Sequence, residues 1–319
     1  MVWLVGGHVM QQVMQSEFVE ADRQLPVGGE IFLDHVGHFV SNPEAASRAL
    51  VRAGFAPAPK SIQFNPDADR SPTGTGNVTA MLPRGYMEVL FKTADTPLAQ
   101  ELDMAIARYT GVHLAAFSVA DAAAAHQRLG EAGFALRPLV SMQRPVDTLA
   151  GPATASFTLA RVEPGAMAEG RIQILTHHTE LAVWQPRWLA HLNGAHALAS
   201  VAFVVKDPLE AAARFSRFTA RPAKETGWGQ TIVLDRGRVD LVDLVKFATM
   251  VPEIEIPCVP FGGAYGVVIK SIDAVERLLQ RGGLRTRRAG DCLIVPFPDE
   301  LGIGAWLFTE TSQAGLFAS

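Results

Sequence analysis

Cysteine is scarce in this chain. Cys258 and Cys292 are the only two among 319 residues, and no C-x-x-C pair is present. Two cysteines do not make the disulfide framework that stabilises small secreted domains. We therefore expect both to be free thiols and the protein to reside in a reducing cytoplasm.

A surplus of positive charge is also lacking. The 28 Lys and Arg residues are outnumbered by 32 Asp and Glu, and the net charge of −4 disfavours a nucleic-acid partner. No apolar run reaches the roughly 18–20 residues that a membrane span needs. Phosphate-loop glycine spacings and a G-x-S-x-G nucleophile elbow are absent as well. We expect a small-molecule substrate, with no nucleic acid and no membrane involved.

What is present is the composition of a globular protein, with 48% hydrophobic and 19% charged residues. At roughly 100–200 residues per domain, the length predicts two domains. Residues 1–29 form a poorly specified N-terminal arm, because Met1–Gly7 is apolar but short and lacks a basic region before it. This arm is either an over-long start or a segment that packs on a partner subunit.

Four segments of the chain repeat one pattern, an alternating apolar strand followed by a helix with apolar residues at i, i+3, i+4 and i+7. Asn42, Asp121 and Asp207 stand where a helix N-cap belongs, and a glycine follows three of the helices. The four strands are HVGHFV (35–40), LAAFSV (114–119), SVAFVV (200–205) and AYGVVI (264–269). From the last strand residue to the position after the helix cap, the step is 15 residues in every copy.

Each copy also ends alike, with further β-like runs and a final strand that begins at a glycine. These final strands are GYMEVLF (85–91), GRIQILT (170–176), GRVDLVD (237–243) and GIGAWLF (302–308). Each copy therefore predicts a β-α-β-β-β unit with antiparallel hairpins after the helix.

The four-fold βαβββ pattern resembles the vicinal oxygen chelate (VOC) superfamily, which includes glyoxalases, extradiol dioxygenases and bleomycin-resistance-type binders. The opening LDHVGHFVSNPEAASRALVRAGF and the later GTGN and THHTE segments carry the resemblance. It implies an α+β fold of two tandem glyoxalase-like domains, each a curved, mostly antiparallel sheet forming a cup with helices outside. We predict domain 1 at residues 30–182, a linker at 183–195, and domain 2 with a degenerate site at 196–319.

The resemblance also implies where metal ligands would lie, because the pleat sends alternate side chains into the cup. The first domain offers His35, Glu88 and Gln173 at these positions, with Leu114 in the fourth. Imidazole and carboxylate suit a divalent ion, so Fe, Mn, Zn, Ni or Co are candidates. The second domain offers no metal site; its equivalent residues are Ser200, Asp240, Ala264 and Ala305.

The strand face on which a polar residue lies predicts whether it belongs to the site. Asn77 follows a glycine-rich turn, and His177 shares the face of Gln173, so both are predicted to contact substrate. His178 is a weaker candidate for the site. His38 faces the helix side and is predicted to be a neutral core histidine. For each of these residues a purely structural hydrogen bond is the alternative.

The leading hypothesis is a metal-dependent VOC-type enzyme, monomeric or homodimeric, that acts on a small oxygen-rich substrate. It would stabilise an enolate or other oxyanion while Glu88 or a nearby histidine moves the proton. Glyoxalase-like lyase or isomerase chemistry is favoured over ring-opening oxygenation, because the ligand positions of the second domain hold Ser200, Ala264 and Ala305. The alternative is a metal-free binding or sequestering protein of the bleomycin-resistance type.

Overall fold

The computed structural model describes residues 23–64 and 71–317 of the chain. Residues 1–22 of the predicted arm lie outside this range. Within it, the four βαβββ copies follow one another as predicted, and further helices separate them. No helix in the described part is both long and apolar enough to cross a bilayer.

The strands and helices have the following bounds. The first copy contains β1 (Ile31–Phe39), α1 (Pro43–Arg52), β2 (Ser61–Phe64), β3 (Pro72–Met81) and β4 (Tyr86–Lys92), and α2 (Pro97–Arg108) follows it. The second contains β5 (Gly111–Val119), α3 (Ala122–Glu131), β6 (Val140–Thr148), β7 (Gly151–Arg161) and β8 (Arg171–His177), followed by α4 (Glu180–Val183). The third contains β9 (Ala197–Val205), α5 (Pro208–Thr219), β10 (Ala223–Thr226), β11 (Gly229–Val233) and β12 (Arg238–Asp243), followed by α6 (Leu244–Met250). The fourth contains β13 (Phe261–Val268), α7 (Ile272–Arg281), β14 (Arg287–Ala289), β15 (Cys292–Pro296) and β16 (Ala305–Thr309).

Capping residues explain why the repeated helices begin and end where they do. The side chains of Asn42, Asp121 and Asp207 accept hydrogen bonds from backbone N–H groups of the first turns of α1, α3 and α5. Glycines with positive φ, such as Gly54 at 80°, follow α1, α3 and α7. The helix of the third copy departs from this pattern, because α5 is followed by Ala220, a non-glycine residue in the left-handed conformation.

In the first half of the chain the predicted cup closes into an eight-stranded barrel. Its strands follow the order β1-β4-β3-β2-β6-β7-β8-β5, and β5 pairs back onto β1. The junction between β2 and β6 is narrow and rests on the pairing of Phe64 with Gln143. Helices α1 and α3 pack outside, where Ala49, Leu50 and Leu129 join the main apolar core.

The second half forms an open sheet with the order β14-β15-β16-β13-β9-β12-β11-β10. It meets the barrel where Val112 of β5 pairs with Gly262 of β13. Its inner face is filled by apolar side chains, including Phe247 of α6, Phe261 and Phe317. The predicted linker 183–195 falls between β8 and β9; the domain boundaries themselves stay predictions.

Two β-bulges disturb the pairing of β1 with β5. Asp34 is the extra residue on β1, between the Leu33–Phe117 and His35–Ala116 pairs. On β5 the extra residue is His113. The equivalent strands β9 and β13 of the second half carry irregularities at the matching positions, Ala199 and Gly263. A bulge changes the direction of the side chains beside it. The bulge on β1 places Asp34 next to the candidate site.

Candidate active site

A pocket opens inside the first-half barrel, with a cavity volume of about 60 Å³. The predicted residues His35, Asn77, Glu88 and Gln173 all line it, and Leu114 lies among them. All five are buried. The remaining polar wall is Gln63, Tyr86, Gln143, Arg144, Arg161 and Arg171, and the apolar wall is Leu90, Leu98, Met142, Phe157, Leu159 and Leu175.

His35 is held from behind by Asp34. The Nδ1 of His35 lies 2.7 Å from Oδ1 of Asp34, and the Nε2 of His177 lies 3.0 Å from Oδ2 of the same carboxylate. Burial alone would raise the pKa of Asp34, but the charges and hydrogen bonds of the two imidazoles outweigh it and hold that pKa well below its usual range. Asp34 is therefore a carboxylate that accepts Nδ1–H and leaves Nε2 of His35 facing the pocket.

Glu88 faces the free nitrogen of that imidazole. Its Oε2 lies 3.6 Å from His35 Nε2, which is too long for a hydrogen bond. Its Oε1 accepts a 2.6 Å hydrogen bond from Nδ2 of Asn77. The ring of Tyr86 stacks on His35 with centroids 4.3 Å apart. His35 and Glu88 are thus fixed by separate partners and are not hydrogen-bonded to each other.

Gln173 is engaged by an arginine. Its Oε1 accepts a 3.2 Å hydrogen bond from Nε of Arg161. Burial is the main cause that lowers the pKa of Arg161 to about 9, and the nearby charges of Arg171 and Arg137 lower it further. A second guanidinium, that of Arg171, shares Glu101 with Arg137. Arg161 and Arg171 therefore form a cationic wall of the pocket.

The predicted metal ligands can be tested against this geometry. Two donors on one tetrahedral ion lie roughly 3.3–3.6 Å apart, so His35 and Glu88 are suitably spaced. A catalytic site uses three protein ligands, and among the described residues no group of three His, Cys, Asp or Glu could hold an ion. Gln173, the predicted third ligand, has its oxygen on Arg161. The described residues therefore do not complete a divalent-metal site.

Several histidines lie outside the pocket. His177, predicted to contact substrate, does not line it; its ring bonds to Asp34 and packs against Trp184. His178 is exposed and lies 2.8 Å from the hydroxyl of Thr158. His38 is buried, with Nδ1 on Leu301 O and Nε2 on the hydroxyl of Tyr265 at 2.9 Å each. It has the surroundings predicted for a core histidine.

The equivalent positions of the second half carry no comparable constellation. Asp240 is fully buried and bonds to Thr231 and Arg238. Ala264 and Ala305 belong to the apolar cluster that fills the inner face of this sheet. The polar pocket of the first half therefore has no counterpart at the matching positions.

Sequence reasoning missed three residues of this site. Asp34 directly precedes His35 in the sequence, and alternation assigned it to the opposite face. Arg161 ends β7, a middle strand, whereas the resemblance places ligands only on the first and last strands of each copy. Arg171 begins β8, two residues before the ligand position held by Gln173. A search for charged residues at the ends of the middle strands would have found Arg161.

The fold and the pocket together define a member of the VOC superfamily. The family described as "Glyoxalase-like domain" matches residues 33–219, more than half of the chain, and the chain belongs to this family. No curated protein sequence matches this chain.

Solved structures with the same fold are distant in sequence. A hypothetical protein from Staphylococcus aureus is 10% identical with a TM-score of 0.61, covering 87% of this chain and 98% of its own. A mutant of 4-hydroxymandelate synthase from Streptomyces coelicolor is 14% identical with a TM-score of 0.55, covering 90% of this chain and 95% of its own. A xylose isomerase-like TIM barrel/4-hydroxyphenylpyruvate dioxygenase fusion protein is 11% identical with a TM-score of 0.52, covering 92% of this chain and 51% of its own. At these identities the likeness shows the fold alone.

Proposed function

We propose that the chain is a VOC-type enzyme that removes a proton from a carbon of a small oxygen-rich substrate in the first-half pocket. The row formed by Asp34, His35 and Glu88 carries the proposal. Asp34 fixes the tautomer of the imidazole, and Glu88 faces its free nitrogen at 3.6 Å. Burying two carboxylates beside one histidine reduces the stability of the fold. A role in proton transfer explains why both are present.

The residues present suffice for one balanced step. Nε2 of His35 takes the proton from a carbon next to a carbonyl or carboxyl group. The electron pair of the broken C–H bond moves onto that group's oxygen, and the guanidinium groups of the cationic wall stabilise the oxyanion. Glu88 stabilises the imidazolium that forms, and Asn77 keeps Glu88 in place. Returning the proton to a different carbon gives an isomerase; losing a neighbouring group gives a lyase.

A divalent ion has no role in this proposal. The resemblance to the superfamily favours metal dependence, but the third predicted ligand, Gln173, bonds to Arg161. The positive charges of the nearby guanidinium groups also repel a divalent metal ion from the pocket. The remaining alternative is a metal-free binding protein, for which Leu114 at a ligand position and the filled second half are the supporting observations.

Solvent exchange distinguishes catalysis from binding without knowledge of the full reaction. A panel of short 2-oxo and 2-hydroxy acids, with their amides, is incubated with the protein in D₂O, and proton NMR follows the loss of carbon-bound hydrogen. We expect exchange in at least one compound, and a loss of 100-fold or more, an order-of-magnitude estimate for removing a general base, in His35→Gln. The exposed His178→Gln variant is the matched control and should exchange like the wild type.

Two results would overturn the proposal. No exchange in a compound that demonstrably binds would favour the binding protein. Exchange that disappears after chelation and returns with a divalent ion, together with about one ion per chain by elemental analysis, would restore the metal-dependent enzyme.

A further inference from the structure

Arg161 is a partly buried cation that forms no direct ion pair with a carboxylate of the described residues; the charges of Glu101 and Glu88 act on it only from a longer distance. Its Nε donates to the amide oxygen of Gln173, and one terminal nitrogen lies 3.5 Å from the sulfur of Met142. Within the part of the chain that the structure describes, no carboxylate lies within ion-pair distance of Arg161, whereas Arg171 in the same wall is paired with Glu101. A desolvated cation without a partner is unfavourable, so this guanidinium is suited to an anionic group of a ligand.

The charge balance of the pocket agrees with an anionic ligand. Its lining contains three arginines, Arg144, Arg161 and Arg171, and a single carboxylate, Glu88. Because Glu88 is engaged by Asn77 and faces His35, it leaves Arg161 available. A carboxylate matches the planar guanidinium fork better than any neutral group does.

Asn77 indicates independently that the ligand carries a hydrogen-bond donor. Its Nδ2 must point to the Glu88 carboxylate, because only a donor fits there, and this fixes the amide orientation. Its Oδ1 is then a buried acceptor with no hydrogen-bond partner among the described residues. A buried acceptor without a donor costs about 1–3 kcal/mol. A ligand hydroxyl would satisfy it.

The volume limits the size of the ligand. A water molecule needs roughly 10–15 Å³ of cavity volume, so the 60 Å³ of the pocket holds about four to six heavy atoms. The leucines, Met142 and Phe157 of the wall leave apolar surface for a short carbon chain.

We infer that the ligand of this pocket is a short organic carboxylate that carries a hydroxyl group, and that Arg161 is the residue that selects it. The carboxylate pairs with the guanidinium of Arg161, and the hydroxyl donates to Oδ1 of Asn77. The inference rests on the proposed function, because it names the substrate class of the same pocket.

Calorimetric titration and thermal shift test this selection without an activity assay. The probes are glycolate and 2-hydroxypropanoate, each compared with its neutral amide. We expect the wild type to bind at least one acid more tightly than its amide. In Arg161→Gln the affinity for the acid should fall about 10- to 100-fold, the range for a hydrogen bond to a charged group, with the amide affinity unchanged.

The controls separate folding from recognition. Arg161→Lys retains the charge and should recover part of the acid preference. Arg52→Gln removes an arginine that pairs with Glu300 on the outside and should bind like the wild type. Equal affinity for acid and amide, no binding of any acid, or an unchanged preference in a folded Arg161→Gln protein would overturn the inference. Binding of the acid without hydrogen exchange would leave the inference standing and refute only the proposed chemistry.

Discussion

Asp34 and His35 are neighbours in the sequence, yet their side chains meet in a 2.7 Å hydrogen bond. In a regular strand, consecutive side chains point to opposite faces. The bulge at Asp34 breaks the alternation and lets its carboxylate reach the imidazole of His35 from behind. The local irregularity of β1 therefore creates the oriented imidazole.

Replacing Asp34 tests that orientation. Asp34→Asn preserves the shape but not the charge, so the Nδ1–H tautomer of His35 loses its strongest acceptor. We expect exchange to slow by at least about 10- to 100-fold, the size of effect found for hydrogen-bond partners that orient a metal-bound histidine, with ligand affinity little changed. A folded Asp34→Asn protein, checked by circular dichroism, that exchanges at the wild-type rate would contradict the assignment.

The buried His38 makes stability depend on pH. Burial lowers its pKa from 6.5 to about 4, so between these values the unfolded state binds a proton that the folded state does not. The free energy of unfolding should therefore fall as pH drops from 6.5 to 4, by about 3 kcal/mol for this group. His38→Phe, which introduces the residue found at Phe117 and Phe203, should remove that part of the slope.

Urea unfolding of the wild type and His38→Phe at pH 7, 6, 5 and 4 measures the difference. Part of the slope should persist in the variant, because burial lowers the pKa of His113 to about 4 as well. Parallel pH profiles for the two proteins would show that folding does not lower the pKa of His38.

Leu114 occupies the position where the superfamily resemblance places a further metal ligand. Leu114→His would add an imidazole to the pocket that His35 and Glu88 already line. Two histidines and one carboxylate meet the three-ligand requirement of an open divalent site. We expect the variant, and not the wild type, to retain about one Zn²⁺ or Co²⁺ per chain after dialysis. Equal metal content in both would mean that Leu114 does not limit binding.

The two thiols should differ in reactivity. Both are free, but Cys292 is buried and Cys258 is only partly so. Burial raises the pKa of Cys292 to about 12, which leaves little thiolate at neutral pH. Titration with a thiol reagent should count one fast thiol in the folded protein and two after unfolding without reductant. A count of zero after unfolding would reveal a disulfide.

The sequence predicted the fold well because its signals are local. N-caps such as Asn42 and Asp121, and glycines with positive φ such as Gly54, define each helix without reference to distant contacts. Strand alternation likewise predicted that His35 and Glu88 face the same pocket, and both line it.

The same reasoning failed where position depends on more than the face of a strand. His177 shares the inward face of Gln173, but it lies beyond the pocket, on Asp34. Strand alternation predicts the face of the sheet on which a side chain lies, but not whether that position along the strand reaches the pocket. Arg161 reaches the pocket because it ends β7 directly opposite Gln173 of β8, and the alternation within β7 alone does not report that pairing.

The most direct test of the account is a crystal structure of the protein soaked with 2-hydroxypropanoate. We predict the carboxylate within about 3.2 Å of the Arg161 guanidinium, the hydroxyl on Oδ1 of Asn77, and the carbon-bound hydrogen facing Nε2 of His35. Ligand density away from Arg161, or an anomalous metal peak between His35 and Glu88, would contradict it.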